Sequence, residues 1–131
     1  MYDKEWYKNL KRSKLTPPNY VFGIVWPILY FLMLISVILL VLNKDNNKLN
    51  FKIGIAAFTF QLILNLIWTT IFFRLQRPKL SLLDLLLTLF FTVLSVYYFY
   101  KVNPLSAYLL IPYVLWLSFA AYLNSYIVIK N

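Results

Sequence analysis

Apolar residues run along this chain in four long blocks separated by short polar stretches. The blocks cover 20–42, 53–73, 80–100 and 102–129, and the only charged residues inside them are Asp84, in the third. A bilayer crossing takes about 20 residues at ~1.5 Å rise each, so every block predicts a spanning helix. In the fourth, Asn103-Pro104 reads as a turn and a helix start, which moves the span to 105–129. Pro27 falls inside the first span and predicts a kink or a distorted preceding turn. The separators "NKDNNKLN" (43–50) and "RLQRPK" (74–79) are short, so neighbouring helices run antiparallel. The predicted fold class is all-α, an integral membrane bundle of four transmembrane helices over 20–131.

Ahead of the bundle, residues 1–19 form a polar, basic segment. Trp6, Tyr7, Leu10 and Leu15 mix with lysines there, a pattern suited to the bilayer interface. Thr16-Pro17-Pro18 is rigid and unsuited to a helix interior, and is expected to cap the first span. The first apolar run is too long for the core of a cleavable signal peptide, so none is expected.

Composition narrows the chemistry. The chain has 131 residues, 62% hydrophobic and 13% charged, and a soluble domain of that size has too little interior to hide so much apolar surface. With no cysteine and no histidine, disulfides, thiol catalysis, the commonest metal ligand and the usual general base are all removed. Gly23 and Gly54 are the only glycines, which excludes a glycine-rich phosphate loop. No metal site and no required cofactor are expected.

The net charge of +9 follows membrane topology rather than nucleic-acid binding. Nine basic residues fall on one side: Lys4, Lys8, Lys11, Arg12, Lys14, Arg74, Arg77, Lys79 and Lys130. Four fall on the other: Lys44, Lys48, Lys52 and Lys101. The positive-inside rule then places both termini in the cytoplasm, with the basic side against anionic headgroups of a bacterial inner membrane.

Helical spacing sorts the polar and aromatic residues onto stripes. Gly23, Trp26, Tyr30 and Met33 share a face of the first span. Gln61, Asn65, Trp68 and Phe72 do so on the second. Ser81, Asp84, Thr88, Thr92 and Ser95 line the third, and Pro112, Trp116, Ala120, Leu123 and Asn124 the fourth. Such stripes should face one another or a cavity, because unpaired polar groups are costly in hydrocarbon. The hydroxyls of the third span are expected to hydrogen-bond across helices. Asp84 is expected to reach the interface and meet Arg77 or Lys79, with a ligand or proton role as the alternative. Trp6 sits at an interface, whereas Trp26, Trp68 and Trp116 lie inside their spans. With 11 Tyr and 11 Phe beside them, two readings stay open: a packed ring cluster, or a slot for a flat, hydrophobic, conjugated ligand.

Four motifs in order, "WYKNLKRSKLTPPNYVFGIVWPILY", "QLILNLIWTTIFF", "LLDLLL" and "PLSAYLLIPYVLWLSFAAYLN", make the chain resemble the TspO/translocator protein family of tryptophan-rich sensory proteins. The resemblance implies a compact helical membrane protein, often a homodimer, that binds porphyrins such as protoporphyrin IX or other hydrophobic small molecules. It implies that Trp26 and Trp116 are the pocket tryptophans, to which porphyrin breakdown is ascribed in bacterial relatives. Tyr30, Asn65, Trp68, Ala120 and Leu123 match further pocket positions. Trp6, Lys14, Thr16, Pro17 and Pro18 would form a lid, with Lys14 near the porphyrin propionates and the two tryptophans sandwiching the macrocycle. The family has five spans, the first ahead of the Trp-Tyr motif. Only five residues precede Trp6 here, so four of the five are expected, with one side of the bundle open to lipid or a partner copy. Leu123, Tyr126 and Lys130 also fit the loose sterol pattern.

Three functions follow. The first is a porphyrin-binding sensor, carrier or scavenger. The second is a small multidrug exporter, for which Asp84 is the one candidate coupling acid. The third is a structural membrane partner without a ligand.

Overall fold

The computed structural model describes residues 19–130. The expected lid, Trp6, Lys14, Thr16, Pro17 and Pro18, lies outside the described residues. The described residues are helical, with no strand among them: α1 (Asn19–Leu42), α2 (Lys48–Thr69), α3 (Pro78–Val102), α4 (Pro104–Tyr108) and α5 (Ile111–Lys130). Four stretches are long and apolar enough to cross a membrane: Tyr20–Leu42, Lys48–Phe72, Pro78–Val102 and Pro104–Lys130.

Local chemistry sets the element ends. α1 runs on through Pro27 as one helix. α2 starts at Lys48, ahead of its apolar block, because the Asn47 side chain accepts the Asn50 N–H at 3.2 Å and caps the first turn. Lys48 and Lys52 are tolerated there because their long stems carry the charge outward. After Thr69 the chain widens into a π-type turn over Thr70–Arg74. Gln76 then takes a positive φ of 53°, and Pro78 opens α3 at the position where its missing N–H costs nothing.

The fourth apolar block is two helices rather than one. Asn103 caps α4 by accepting the Leu105 N–H at 3.1 Å. Four residues beyond Tyr108, Pro112 has no N–H to give to the Tyr108 carbonyl, and its ring crowds that group. α4 therefore stops at Tyr108, and the Leu110 N–H bonds back to the Ala107 carbonyl at 3.0 Å.

In the bundle α3 packs against α2, α4 and α5, while α1 packs chiefly on α4, where the Ser36 hydroxyl donates to the Ser106 carbonyl at 2.6 Å. The core near the Lys44–Asn46 turn is close-packed, with Leu40, Phe58, Phe99, Val102, Ala107 and Leu110 all buried. A Cβ on Gly54 would stand 3.0 Å from Phe99 Cδ1 and 3.2 Å from Tyr98 Cβ, so glycine is what lets α2 and α3 approach. On α1, Ile24, Ile28, Phe31, Leu34 and Ile38 form an exposed apolar stripe.

Two expectations about α3 need correction. Its polar face is buried, but only half of its four hydroxyls, Ser81 and Thr92, bond to another helix. Thr88 donates to the Asp84 carbonyl at 2.9 Å and Ser95 to the Phe91 carbonyl at 2.7 Å. Thr92 lies 2.7 Å from the Thr88 carbonyl and 3.2 Å from Gln61 Oε1. A helical Ser or Thr can reach the carbonyl four residues back without any neighbour. Ser81 does bridge, lying 3.0 Å from Asn124 Oδ1. Asp84 meets neither Arg77 nor Lys79: it is 6% exposed and makes no ion pair among the described residues. Arg77 is seven positions away, roughly 10 Å along the axis, and Lys79, five away, points off another face; both are exposed.

Candidate functional site

Between α1, α2, α3 and α5 lies a cavity of about 460 Å³, at the end of the bundle near the 74–77 connection. α1 contributes Phe22, Trp26 and Tyr30, spaced one turn apart. α2 contributes Asn65, Trp68 and Thr69, with Phe72 just beyond its end. Leu85 and Thr88 come from α3, and Trp116, Ala120, Leu123, Asn124 and Ile127 from α5. All seven pocket residues named from sequence (Trp26, Tyr30, Asn65, Trp68, Trp116, Ala120 and Leu123) border this one space.

The wall is aromatic and its rings touch. Trp26 stacks on Tyr30 with centroids 5.8 Å apart, and Phe22 meets Trp116 edge-on at 5.5 Å. Trp68 stacks on Phe72 at 4.9 Å and 10°. Trp26 and Trp116 lie 6.2 Å apart at 89°. They therefore form a corner and not the two parallel walls of a sandwich, which need a ring's thickness of about 3.5–4 Å on each side of a ligand. Rings prefer this edge-to-face arrangement because the positive edge of one meets the negative face of the other. Trp68 stands in the last turn of α2, closer to the end of its span than the sequence pattern implied.

Beneath the rings a hydrogen-bonded chain ties three helices. The Tyr30 hydroxyl donates to the Asn65 side-chain carbonyl. Asn65 Nδ2 donates to the Tyr113 hydroxyl at 2.7 Å, and that hydroxyl donates to Gln61 Oε1 at 2.7 Å. Asn65 is thus committed on both sides to holding α1, α2 and α5 together. A second clamp centres on Asn124. Its Oδ1 accepts from Trp68 Nε1 at 3.2 Å and from Ser81 Oγ at 3.0 Å, while its Nδ2 donates to the Pro78 carbonyl at 3.0 Å. One cavity-lining residue keeps a spare donor: Trp116 Nε1 is buried and has no hydrogen-bond partner among the described residues.

Several lining residues were not named as pocket positions. Phe72, Thr88 and Asn124 lay on the polar stripes already recognised, and Phe22 is one turn before Trp26, so a signal existed for each. Thr69, Leu85 and Ile127 carried none. Tyr113 was indistinguishable from the other tyrosines. Leu123 is 8% exposed and turns to the cavity, so it shares no lipid-facing surface with Tyr126 and Lys130, as a sterol motif on the outside of the bundle would require. Among the described residues no cluster of His, Cys, Asp or Glu could hold a metal.

An all-helical membrane protein with an aromatic-walled cavity between its spans is the class these features define. The chain belongs to the TspO/MBR family, whose model matches residues 1–129. It is similar to the tryptophan-rich protein TspO of Chlorobaculum tepidum, 38% identical over 119 residues, covering 91% of this chain and 75% of that one. It is 36% identical over 126 residues to the tryptophan-rich protein TspO of Archaeoglobus fulgidus, covering 96% and 80%. Against the translocator protein of Homo sapiens the figure is 34% over 119 residues, covering 91% and 70%.

Proposed function

We propose that the protein binds a tetrapyrrole such as protoporphyrin IX, or another flat hydrophobic molecule, in this cavity, and acts as its sensor, carrier or scavenger. The observation that carries the reading is the convergence of Trp26, Tyr30, Trp68 and Trp116 on one space of about 460 Å³, within the ~300–1,000 Å³ usual for ligand pockets. A conjugated ring lies flat on one tryptophan face and meets the edge of the other. The free Trp116 N–H offers a hydrogen bond to a ligand acceptor. With Asn65 held by Tyr30 and Tyr113, its role is to fix the floor of the cavity.

The side carrying nine basic residues faces the cytoplasm of a bacterial inner membrane. The cavity lies in that half, near the 74–77 connection. Tryptophan-fluorescence titration of the detergent-purified protein with protoporphyrin IX tests the reading, alongside a Trp26→Phe/Trp116→Phe double variant. Inner-filter controls and an independent absorbance measurement of bound porphyrin accompany it. Saturable micromolar binding that weakens in the double variant is expected. Absence of saturable binding to the unaltered protein would favour a structural partner without a ligand.

A further inference from the structure

Most polar groups on the cavity wall are already engaged. Tyr30 and Asn65 bond to each other, Trp68 Nε1 donates to Asn124, and the Thr88 hydroxyl donates to the Asp84 carbonyl at 2.9 Å. The spare Trp116 N–H is buried. Thr69 differs from all of these: it lines the cavity, it is exposed, and its hydroxyl is uncommitted. It stands where α2 gives way to the π-type turn, at φ −58° and ψ −42° in the last turn of the helix, and its side chain makes no capping bond there. Thr88 and Thr92 turn their hydroxyls to carbonyls four residues back, and no such bond engages Thr69 among the described residues.

Its place in the fold gives that hydroxyl a use. Residues four apart share a helix face, so Thr69 lies on the same side of α2 as Asn65, about 6 Å further along the axis toward the 74–77 connection. Asn65 is fixed by Tyr30 and Tyr113 as the floor, and Thr69 borders the space above it. The rings of the wall can cover the flat apolar face of an occupant, but they offer nothing to an oxygen on its edge. An oxygen taken out of water into an apolar site costs free energy unless a donor meets it. A threonine hydroxyl is such a donor, whether the oxygen belongs to a carbonyl, a carboxyl or a carboxylate.

We infer that Thr69 is a specificity-determining residue of the cavity: its hydroxyl donates to a carbonyl or carboxyl oxygen on the edge of a flat conjugated ligand, and so favours oxygen-bearing rings over rings of the same shape that carry only hydrocarbon. This deepens the porphyrin reading and rests on it.

The test titrates the detergent-purified protein with protoporphyrin IX and with octaethylporphyrin, which has the same ring and no oxygen, and follows porphyrin absorbance. Each Kd is compared between variant and parent, so that partitioning into detergent cancels, and gel filtration with helical circular dichroism confirms folding. Thr69→Val, which keeps the shape and loses the hydroxyl, should weaken protoporphyrin IX binding by about five- to tenfold and change octaethylporphyrin binding by less than about twofold. Thr69→Ser should bring protoporphyrin IX back to within about twofold of the parent. Protoporphyrin IX binding unchanged in Thr69→Val would overturn the inference. So would an equal loss for both porphyrins, which would mean that the residue acts through shape, or a serine variant no better than the valine one. In any of these cases porphyrin still binds the parent, and the inference alone falls. If neither porphyrin binds the unaltered protein, the porphyrin reading fails and takes this inference with it.

Discussion

At the end of the bundle near the Lys44–Asn46 turn, α2 and α3 press together until a Cβ on Gly54 would stand 3.0 Å from the Phe99 ring. At the opposite end the same two helices border a cavity of about 460 Å³ ringed by tryptophan and phenylalanine. The difference lies in side-chain shape. At the first end Phe99 packs over Gly54 and against Phe58 within the buried core. At the second, larger rings, some stacked and some edge to face, border open space between the helices. Lipid is as apolar as leucine, so association of the helices rests on close packing and polar bonds. The packed end supplies that packing, and the cavity end supplies only the Asn65 and Asn124 clamps. The bundle thus holds itself together at one end and keeps space free at the other.

Adding the same bulk to each end should break the symmetry of that comparison most sharply. Gly54→Leu should cost about 1–3 kcal/mol or prevent folding, because the Phe99 ring and the Tyr98 Cβ stand against that position. Ala120→Leu, which grows into open space, should change stability by less than ~0.5 kcal/mol. Thermal unfolding followed by helical circular dichroism in one detergent measures both; equal losses would refute the contrast. Next in size, Asn124→Ala should cost roughly 1–2 kcal/mol, since it removes bonds to Trp68, Ser81 and Pro78 at ~0.6 kcal/mol or more each. A loss below the error of a denaturant titration would mean that the clamp is ornamental. The smallest effect is expected for Tyr30→Phe, about 0.6 kcal/mol from the lost bond to Asn65. Its clearer sign should be faster proteolysis or hydrogen exchange of α1, the helix that packs chiefly on the short α4.

The fold was largely legible because hydropathy and punctuation act locally. Asn103-Pro104 announced a helix start, and Pro112 lay in plain view, although its effect, a break at Tyr108, needed the missing N–H to be followed four residues back. The start of α2 was placed late because Lys48 and Lys52 look like loop residues until Asn47 is recognised as a cap. The stripes told which faces turn inward, and so brought Trp26, Asn65, Trp68 and Trp116 to one region. They could not say that Thr88 and Ser95 bond to their own helix, since a hydroxyl's choice between a backbone carbonyl and a neighbour depends on packing. Nor could they give the 89° between Trp26 and Trp116, because ring angles follow from all the surrounding side chains. Asp84 was misplaced for a related reason: its position near the start of the third apolar block suggested Arg77 or Lys79 as partners, and helix geometry puts neither within reach.

The most direct test fills the cavity without touching its tryptophans. Ala120→Trp places a fifth indole in the open space while leaving the packed end alone. Protoporphyrin IX binding, read by absorbance of porphyrin that co-elutes with protein on gel filtration, should fall at least about tenfold, with the unfolding midpoint held near that of the parent. Undiminished porphyrin binding in a folded Ala120→Trp protein would mean that the ligand sits elsewhere and that the cavity is not the binding site.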